Sequence, residues 1–231
     1  MSDELKVFRT EKKYELSLFE SEMLFHKLLN VLEGDPYNGN EAYLVRSLYF
    51  DTIYNRDYWQ KMDGLSNRRK IRLRVYSPDA SEAKLEIKEK QGNAQLKRSL
   101  VISKDDAMEL QKENYEVLKK YDAPIARELY SIMMTSMYRP VCIVEYKRRA
   151  FVNYTNDTRI TFDSEISSSE GNFNVFDTNL FTYPVTSKDK IILEVKYNGF
   201  LLSYIKELIN SCGKMEQSNS KYCMARVFGL G

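Results

Sequence analysis

Charged side chains recur at every second position in several stretches of this chain: Arg72-x-Arg74, Glu86-x-Lys88, Arg159-x-Thr161-x-Asp163 and Glu194-x-Lys196. Alternate residues of an extended strand point to the same side. These spacings therefore gather charge on one face, while Ile71, Leu73, Val75, Leu85, Ile87, Ile160, Phe162, Leu193 and Val195 take the other. With Arg9, Lys13, Lys97, Arg148 and Lys221, the polar faces hold ten cations against four carboxylates, Glu11, Glu86, Asp163 and Glu194. That is a net of +6 where the whole chain is +2. A single such face is explained by the wet side of an antiparallel sheet. Segregation of sign across many strands is not, because a solvated surface mixes signs to limit repulsion.

If the sheet closes, these faces point into a shared interior, where ten cations require an anionic ligand of high charge density. A polyphosphate or a nucleoside triphosphate supplies it. Arginine clamps phosphate oxygens with two parallel bonds, and lysine neutralises them as a point charge. The few carboxylates are then metal ligands or fixed partners of the cations, since Mg²⁺ or Mn²⁺ takes one or two carboxylates plus phosphate oxygens and water. Glu194 is the first choice. No Walker A sequence, kinase glycine-rich loop or dinucleotide fingerprint is present, so side chains rather than backbone amides must hold phosphate. The 17 tyrosines interleaved with basic residues leave single-stranded nucleic acid as a less favoured ligand, because the cations lie away from most aromatics.

Period-two alternation predicts strands over 6–16, 45–51, 68–76, 83–90, 95–102, 140–151, 157–163 and 189–197. In 140–151 the pattern alone does not decide which face is inside: Tyr146 and Arg148 share one with Cys142 and Val144, and Glu145, Lys147 and Arg149 take the other. Four helices are expected. Ser17 and Glu20 form a capping box ahead of Leu24, Leu28, Val31 and Leu32, and Gly34-Asp35-Pro36 stops that helix. Ser103 caps a helix running to about Lys120, with Asp105 and Asp106 in its first turn. The others span about 124–137 and 201–211, the latter ended by Gly213. Strands outnumber helices and mostly follow one another, so the class is α+β with antiparallel pairing.

The 231 residues show no repeat or linker and read as a single domain over 1–231. No stretch approaches the roughly 18 apolar residues that span a bilayer, and the N-terminus lacks the features of a signal peptide. A cytoplasmic chain without direct membrane insertion is expected. Cys142, Cys212 and Cys223 lack metal-ligand spacing and read as reduced. His26, the sole histidine, reads as a packed helix residue among Leu24, Phe25, Leu28 and Leu29, which makes histidine-based catalysis a poor choice.

Eight short pieces, in order, carry a resemblance to a known family. They are Arg9-x-Glu11-x-Lys13-Tyr14; Ser47-Leu-Tyr-Phe-Asp51 followed by Tyr58 and Lys61-x-x-Gly64; Arg72-x-Arg74-x-Tyr76; Glu86-x-Lys88; Tyr146-x-Arg148-x-Ala150-Phe151; Arg159-x-Thr161-x-Asp163; Leu193-Glu194-x-Lys196; and Ser220-Lys221-Tyr222. Over most of its length the chain resembles the vacuolar transporter chaperone (VTC) family of polyphosphate polymerase domains, within the triphosphate tunnel metalloenzymes (CYTH-like). The resemblance implies a closed tunnel of eight antiparallel strands with peripheral helices. It also implies transfer of the terminal phosphoryl group of ATP onto inorganic polyphosphate with Mn²⁺ or Mg²⁺. By motif, Lys13, Arg72, Arg74, Lys88, Arg148, Arg159 and Lys221 become the catalytic cations. Arg9, Lys97, Lys196 and Ser220 become further phosphate ligands, and Glu194, Glu11 and Glu86 the metal ligands. Tyr146 and Arg148 are placed inside. Ser218 stands where the resemblance leads one to expect a second lysine, and Lys214 is the candidate to compensate. Export of product across a membrane requires a membrane-protein partner.

Phosphoryl transfer passes through a loose transition state, so alignment and electrostatic stabilisation dominate, and an already ionised phosphate acceptor needs no general base. If water replaces the acceptor, the same residues hydrolyse tripolyphosphate or a nucleoside triphosphate. A non-catalytic polyphosphate-binding subunit is the third reading.

Overall fold

The structure, a computed structural model, describes residues 9–38, 42–92, 94–154 and 156–230. Residues 6–8 of the first expected strand and the side chain of Arg9 lie outside what is described. In chain order the elements are β1 (Arg9–Ser17), α1 (Leu18–Leu29), β2 (Glu33–Gly34), β3 (Tyr43–Thr52), α2 (Arg56–Met62), β4 (Arg68–Val75), β5 (Glu82–Gln91) and β6 (Ala94–Ser103). They continue with α3 (Lys104–Leu110), α4 (Pro124–Thr135), β7 (Tyr138–Asn153), β8 (Thr158–Ser169), β9 (Tyr183–Pro184), β10 (Lys190–Asn198), α5 (Ser203–Asn210) and α6 (Lys221–Leu230).

The chain forms two units. The first comprises Met1–Leu44, Tyr146–Ile166 and Thr186–Ser220, and the second Val45–Glu145, Ser167–Val185 and Lys221–Gly231. In the first, hydrogen-bonded strands follow the order β1-β10-β8-β7; in the second they follow β7-β3-β4-β5-β6, so β7 supplies residues to both. All the ladders described are antiparallel. The eight principal strands and the α+β class agree with the period-two reading, but the closed tunnel does not. Among the described residues the strand path is open, with β1 and β6 at its ends. Both ends carry charged residues, such as Glu11, Lys12 and Lys13 on β1 and Lys97 and Arg98 on β6, and charge on an edge discourages further pairing.

In each unit the apolar strand faces meet helices. The first unit buries Phe151, Phe162, Leu193 and Val195 against Leu24 and Leu28 of α1 and Ile205 and Ile209 of α5. The second buries Leu48, Phe50, Ile71, Leu73, Leu85 and Ile87 against Ala107 and Leu110 of α3 and Leu129 and Met133 of α4. Helix starts follow the expected chemistry. Glu20 accepts the Ser17 N–H at 2.8 Å while Ser17 Oγ accepts the Glu20 N–H at 3.3 Å, and Ser103 Oγ accepts the Asp106 N–H at 3.2 Å.

The helix expected over 103–120 is broken after α3. Glu113 takes a left-handed φ of 68°, Glu113 N–H donates to Leu110 and Asn114 N–H to Glu109, which is a Schellman closure made without glycine; a 3₁₀ turn over Tyr115–Lys120 follows. His26 is exposed rather than packed, because it lies off the Leu24–Leu28 stripe that faces the core. The helices α2 and α6 were not anticipated. No helix among the described residues is long and apolar enough to cross a membrane.

Candidate functional site

Register decides which charged residues share a face. In the second unit Arg72 stands opposite both Tyr49 and Glu86, Glu86 opposite Ser99, Arg74 opposite Ser47 and Lys84, and Lys70 and Lys97 opposite Lys88. Counting in twos along β4, β5 and β6 puts Arg68, Lys70, Arg72, Arg74, Lys84, Lys88, Lys90 and Lys97 on one face with two carboxylates, Glu82 at the start of β5 and Glu86. Eight cations against two carboxylates is a net of +6, where the sequence reading assigned these strands four cations and Glu86, a net of +3.

That face is not simply a wet side. Glu86 is 2% exposed and Arg74 6%. Arg72 Nε donates to Glu86 Oε2 at 2.6 Å, Arg74 Nη1 lies 3.8 Å from the same oxygen, and Lys97 Nζ reaches Oε1. Burial alone raises the Glu86 pKa; Arg72, Arg74 and Lys97 outweigh it and hold the carboxyl down at about 2. Neutral hydroxyls orient the two guanidinium groups further, Tyr49 Oη accepting from Arg72 at 3.3 Å and Ser47 Oγ from Arg74 at 3.1 Å. Glu86 is thus ringed by three cations and engages the Nε of Arg72 directly. Lys88 shares the face, and Lys221 opens α6.

The first unit brings together a more balanced group. Glu11 stands opposite Lys196, which stands opposite Arg159, and Lys13 likewise forms a row with Glu194 and Thr161. Lys13 Nζ lies 3.0 Å from Glu11 and 4.0 Å from Glu194, and donates to the Asn219 carbonyl at 2.9 Å. Glu194 is also approached by Lys196 at 3.1 Å and by Arg148 at 3.7 Å. Arg148 grips Asp163 and reaches the Tyr146 hydroxyl at 3.3 Å; all three are buried, so the ambiguous strand does present Tyr146 and Arg148 on its interior side. Arg159 pairs with Asp35 and donates to Tyr43 Oη at 3.0 Å. Ser220 is buried. Ser218 is exposed, and Lys214 pairs with Glu20 at 2.9 Å, which ties it to the start of α1.

The carboxylates allow a simple test of metal fit. Among the described residues no three His, Cys, Asp or Glu side chains gather as a metal cage. Glu11 and Glu194 nevertheless converge on one cation, the Lys13 ammonium. A pair of carboxylates suits Mg²⁺ or Mn²⁺ held jointly with phosphate oxygens, not a structural metal.

Ser47, Tyr49, Tyr43 and Asp35 were not singled out as site residues. Asp35 read as a turn residue before proline, and the hydroxyls carry no charge to betray them. Only their register against Arg72, Arg74 and Arg159 marks them.

The sequence profile of the VTC domain family matches residues 8–228. No curated protein matches the chain. Among solved structures, HpAC1 from Hippeastrum, an adenylyl cyclase candidate described as having a dominant triphosphatase activity, aligns with a TM-score of 0.57 at 13% identity, over 94% of each chain. An adenylate cyclase candidate from Bacillus halodurans aligns at 0.55 and 13% identity, over 91% of this chain and 92% of its own. One from Vibrio parahaemolyticus aligns at 0.52 and 12%, over 94% and 97%. At such identities the likeness is one of fold.

Proposed function

The chain belongs to the VTC domain family, and from that premise we propose that it is an ATP-dependent polyphosphate polymerase, moving the ATP γ-phosphoryl group onto the end of an inorganic polyphosphate chain. The observation that carries this reading is the β4–β6 face, where eight cations stand against two carboxylates and three of them, Arg72, Arg74 and Lys97, close on the buried Glu86. A face so charged is stabilised by a ligand dense in negative charge, and nucleotide and polyphosphate are both of that kind. In this reading the chain over 1–231 is a single polymerase domain.

In this proposal Arg72, Arg74, Lys88, Lys97 and Lys221 of the second unit hold phosphate oxygens, and so do Arg9, Lys13, Arg148, Arg159, Lys196 and Ser220 of the first. Glu86 keeps Arg72 and Arg74 aimed, so little reorganisation is needed when phosphate arrives. Glu194 and Glu11 would hold Mn²⁺ or Mg²⁺ with the substrate; when bound, the ion neutralises phosphate oxygens and polarises the transferred group. The acceptor is an ionised phosphate, so no side chain has to remove a proton. The cations offset the repulsion between donor and acceptor and align them in line.

Hydrolysis of tripolyphosphate or nucleoside triphosphate is the second reading, favoured by the triphosphatase activity of the structurally similar HpAC1. It differs only in admitting water where the acceptor binds. Incubating the protein with ATP and Mn²⁺ and separating products on a denaturing gel stained for polyanions tests the choice. A ladder that lengthens as ADP accumulates, and that is abolished by a chelator, is the expected outcome. Orthophosphate without a ladder selects the hydrolase. Retention of polyphosphate without turnover would reduce the role to binding.

A further inference from the structure

Three residues of the shared motifs, Asp51, Tyr58 and Tyr222, have no place in phosphate chemistry: they are uncharged or deeply buried, at 0%, 5% and 1% exposure. They form one assembly within the second unit. Asp51, near the end of β3, accepts the backbone N–H of Thr52 at 2.7 Å and those of Asp57 and Tyr58 at 2.9 Å, so its carboxylate serves the start of α2. The Tyr222 hydroxyl donates to the same carboxylate at 2.5 Å. Burial and the charge of Asp51 push the Tyr222 pKa well up, so the hydroxyl keeps its proton and remains a donor.

The tyrosine ring carries the contact onward. Tyr222 stacks on Tyr49 with centroids 5.0 Å apart and planes 23° from parallel, and Tyr58 meets Tyr222 edge-on at 6.3 Å. Tyr49 Oη in turn accepts from Arg72 Nη1 at 3.3 Å. Tyr222 is the second residue of α6, directly after Lys221. Anchorage at Asp51 thus bears on two cations, through the ring stack on Arg72 and through the backbone on Lys221.

Building on the reading of Arg72 and Lys221 as phosphate-binding cations, we propose that Tyr49 and Tyr222, anchored by Asp51, are positioning residues that hold the Arg72 guanidinium and the first turn of α6 where phosphate is received. An arginine side chain loses rotamer freedom when it is ordered, so groups that hold it in advance reduce that loss on binding. Glu86 takes Nε and Tyr49 takes Nη1, so the plane of the fork is set from two strands before a ligand arrives. A phenol suits the second position because it orients the guanidinium without cancelling its charge, which a second carboxylate would do.

The test measures tripolyphosphate binding by calorimetry, with no turnover required, on Tyr49→Phe, Tyr222→Phe, Arg72→Ala and the double variants. Tyr49→Phe keeps the ring stack and loses only the hydroxyl; it should bind about fivefold more weakly, the size of one hydrogen bond. In the Arg72→Ala background the same change should have no further effect. Tyr222→Phe should weaken binding by a similar factor, part of it lost once Arg72 is absent. An undiminished fivefold loss without Arg72, or unaltered binding by Tyr49→Phe, overturns the positioning role while the site reading stands. If Arg72→Ala itself binds like the parent, the site reading fails, and the positioning role with it.

Discussion

Arg148 and Asp163 are joined by two parallel hydrogen bonds, Nε to Oδ1 at 2.6 Å and Nη2 to Oδ2 at 2.8 Å, and both side chains are buried. Burial works against the charge on Arg148, and Asp163 outweighs it. Such a pair is replaceable as a whole but not by halves, since removing one partner leaves an uncompensated buried charge. Asp163→Ala should lower unfolding free energy by about 3–5 kcal/mol in urea denaturation. A change below 1 kcal/mol would show that Arg148 does not depend on this partner.

The Arg72 and Arg74 assignments predict a kinetic effect. Each guanidinium offers charge-assisted bonds worth about 1.5–3 kcal/mol, so Arg72→Ala and Arg74→Ala should each lower kcat/KM by about 10- to 150-fold. Steady-state turnover of ATP checks this. Parent-like turnover in both variants contradicts the placement of the site.

Glu86 has a ligand-dependent role. With its pKa held near 2, its contribution to stability is complete above about pH 4.5 and lost as pH falls toward 2. Glu86→Gln leaves three neighbouring cations without their shared carboxylate. The variant should lose about 3 kcal/mol at pH 7 in buffer without polyvalent anions, and should gain more in Tm than the parent when tripolyphosphate is added. An equal gain in both proteins would mean that the face does not take up the anion.

Asp57 makes the opposite pH prediction. Burial first, and the neighbouring Asp51 second, raise its pKa to about 7, against the pull of Tyr138, Arg56 and Arg69. Between the unfolded value of about 3.9 and that figure, the folded chain holds a proton the unfolded chain lacks. The stability associated with the neutral acid is therefore full below about pH 4 and declines as pH rises through 7. Asp57→Asn, which keeps an acceptor for the Tyr138 hydroxyl at 2.8 Å, should become progressively more stable than the parent from pH 4 to 7 and hold a constant margin above it. Denaturation midpoints at pH 5, 6, 7 and 8 test this; a margin independent of pH contradicts it.

The polar and apolar faces were legible because strand periodicity is local. The segments 45–51, 68–76, 83–90 and 95–102 agree with β3 to β6 within two residues, and the cations fall on the face opposite Leu73 and Ile87, as counting in twos requires. What escaped depends on distant partners. Asp51 meets Tyr222 across 171 positions, so neither its capping of α2 nor the seating of α6 leaves a local pattern. The break after α3 escaped because Glu113, not a glycine, adopts the left-handed turn. The open ends at β1 and β6 escaped because charge alternation looks the same on an edge strand as on a strand lining an interior.

The most direct measurement is phosphorus NMR of the purified chain with ATP and Mn²⁺. Polymerase activity predicts a mid-chain phosphate signal that grows relative to chain-end signals while ADP accumulates, and that disappears in Arg72→Ala. Orthophosphate rising alone, with no mid-chain signal at any time, would contradict it.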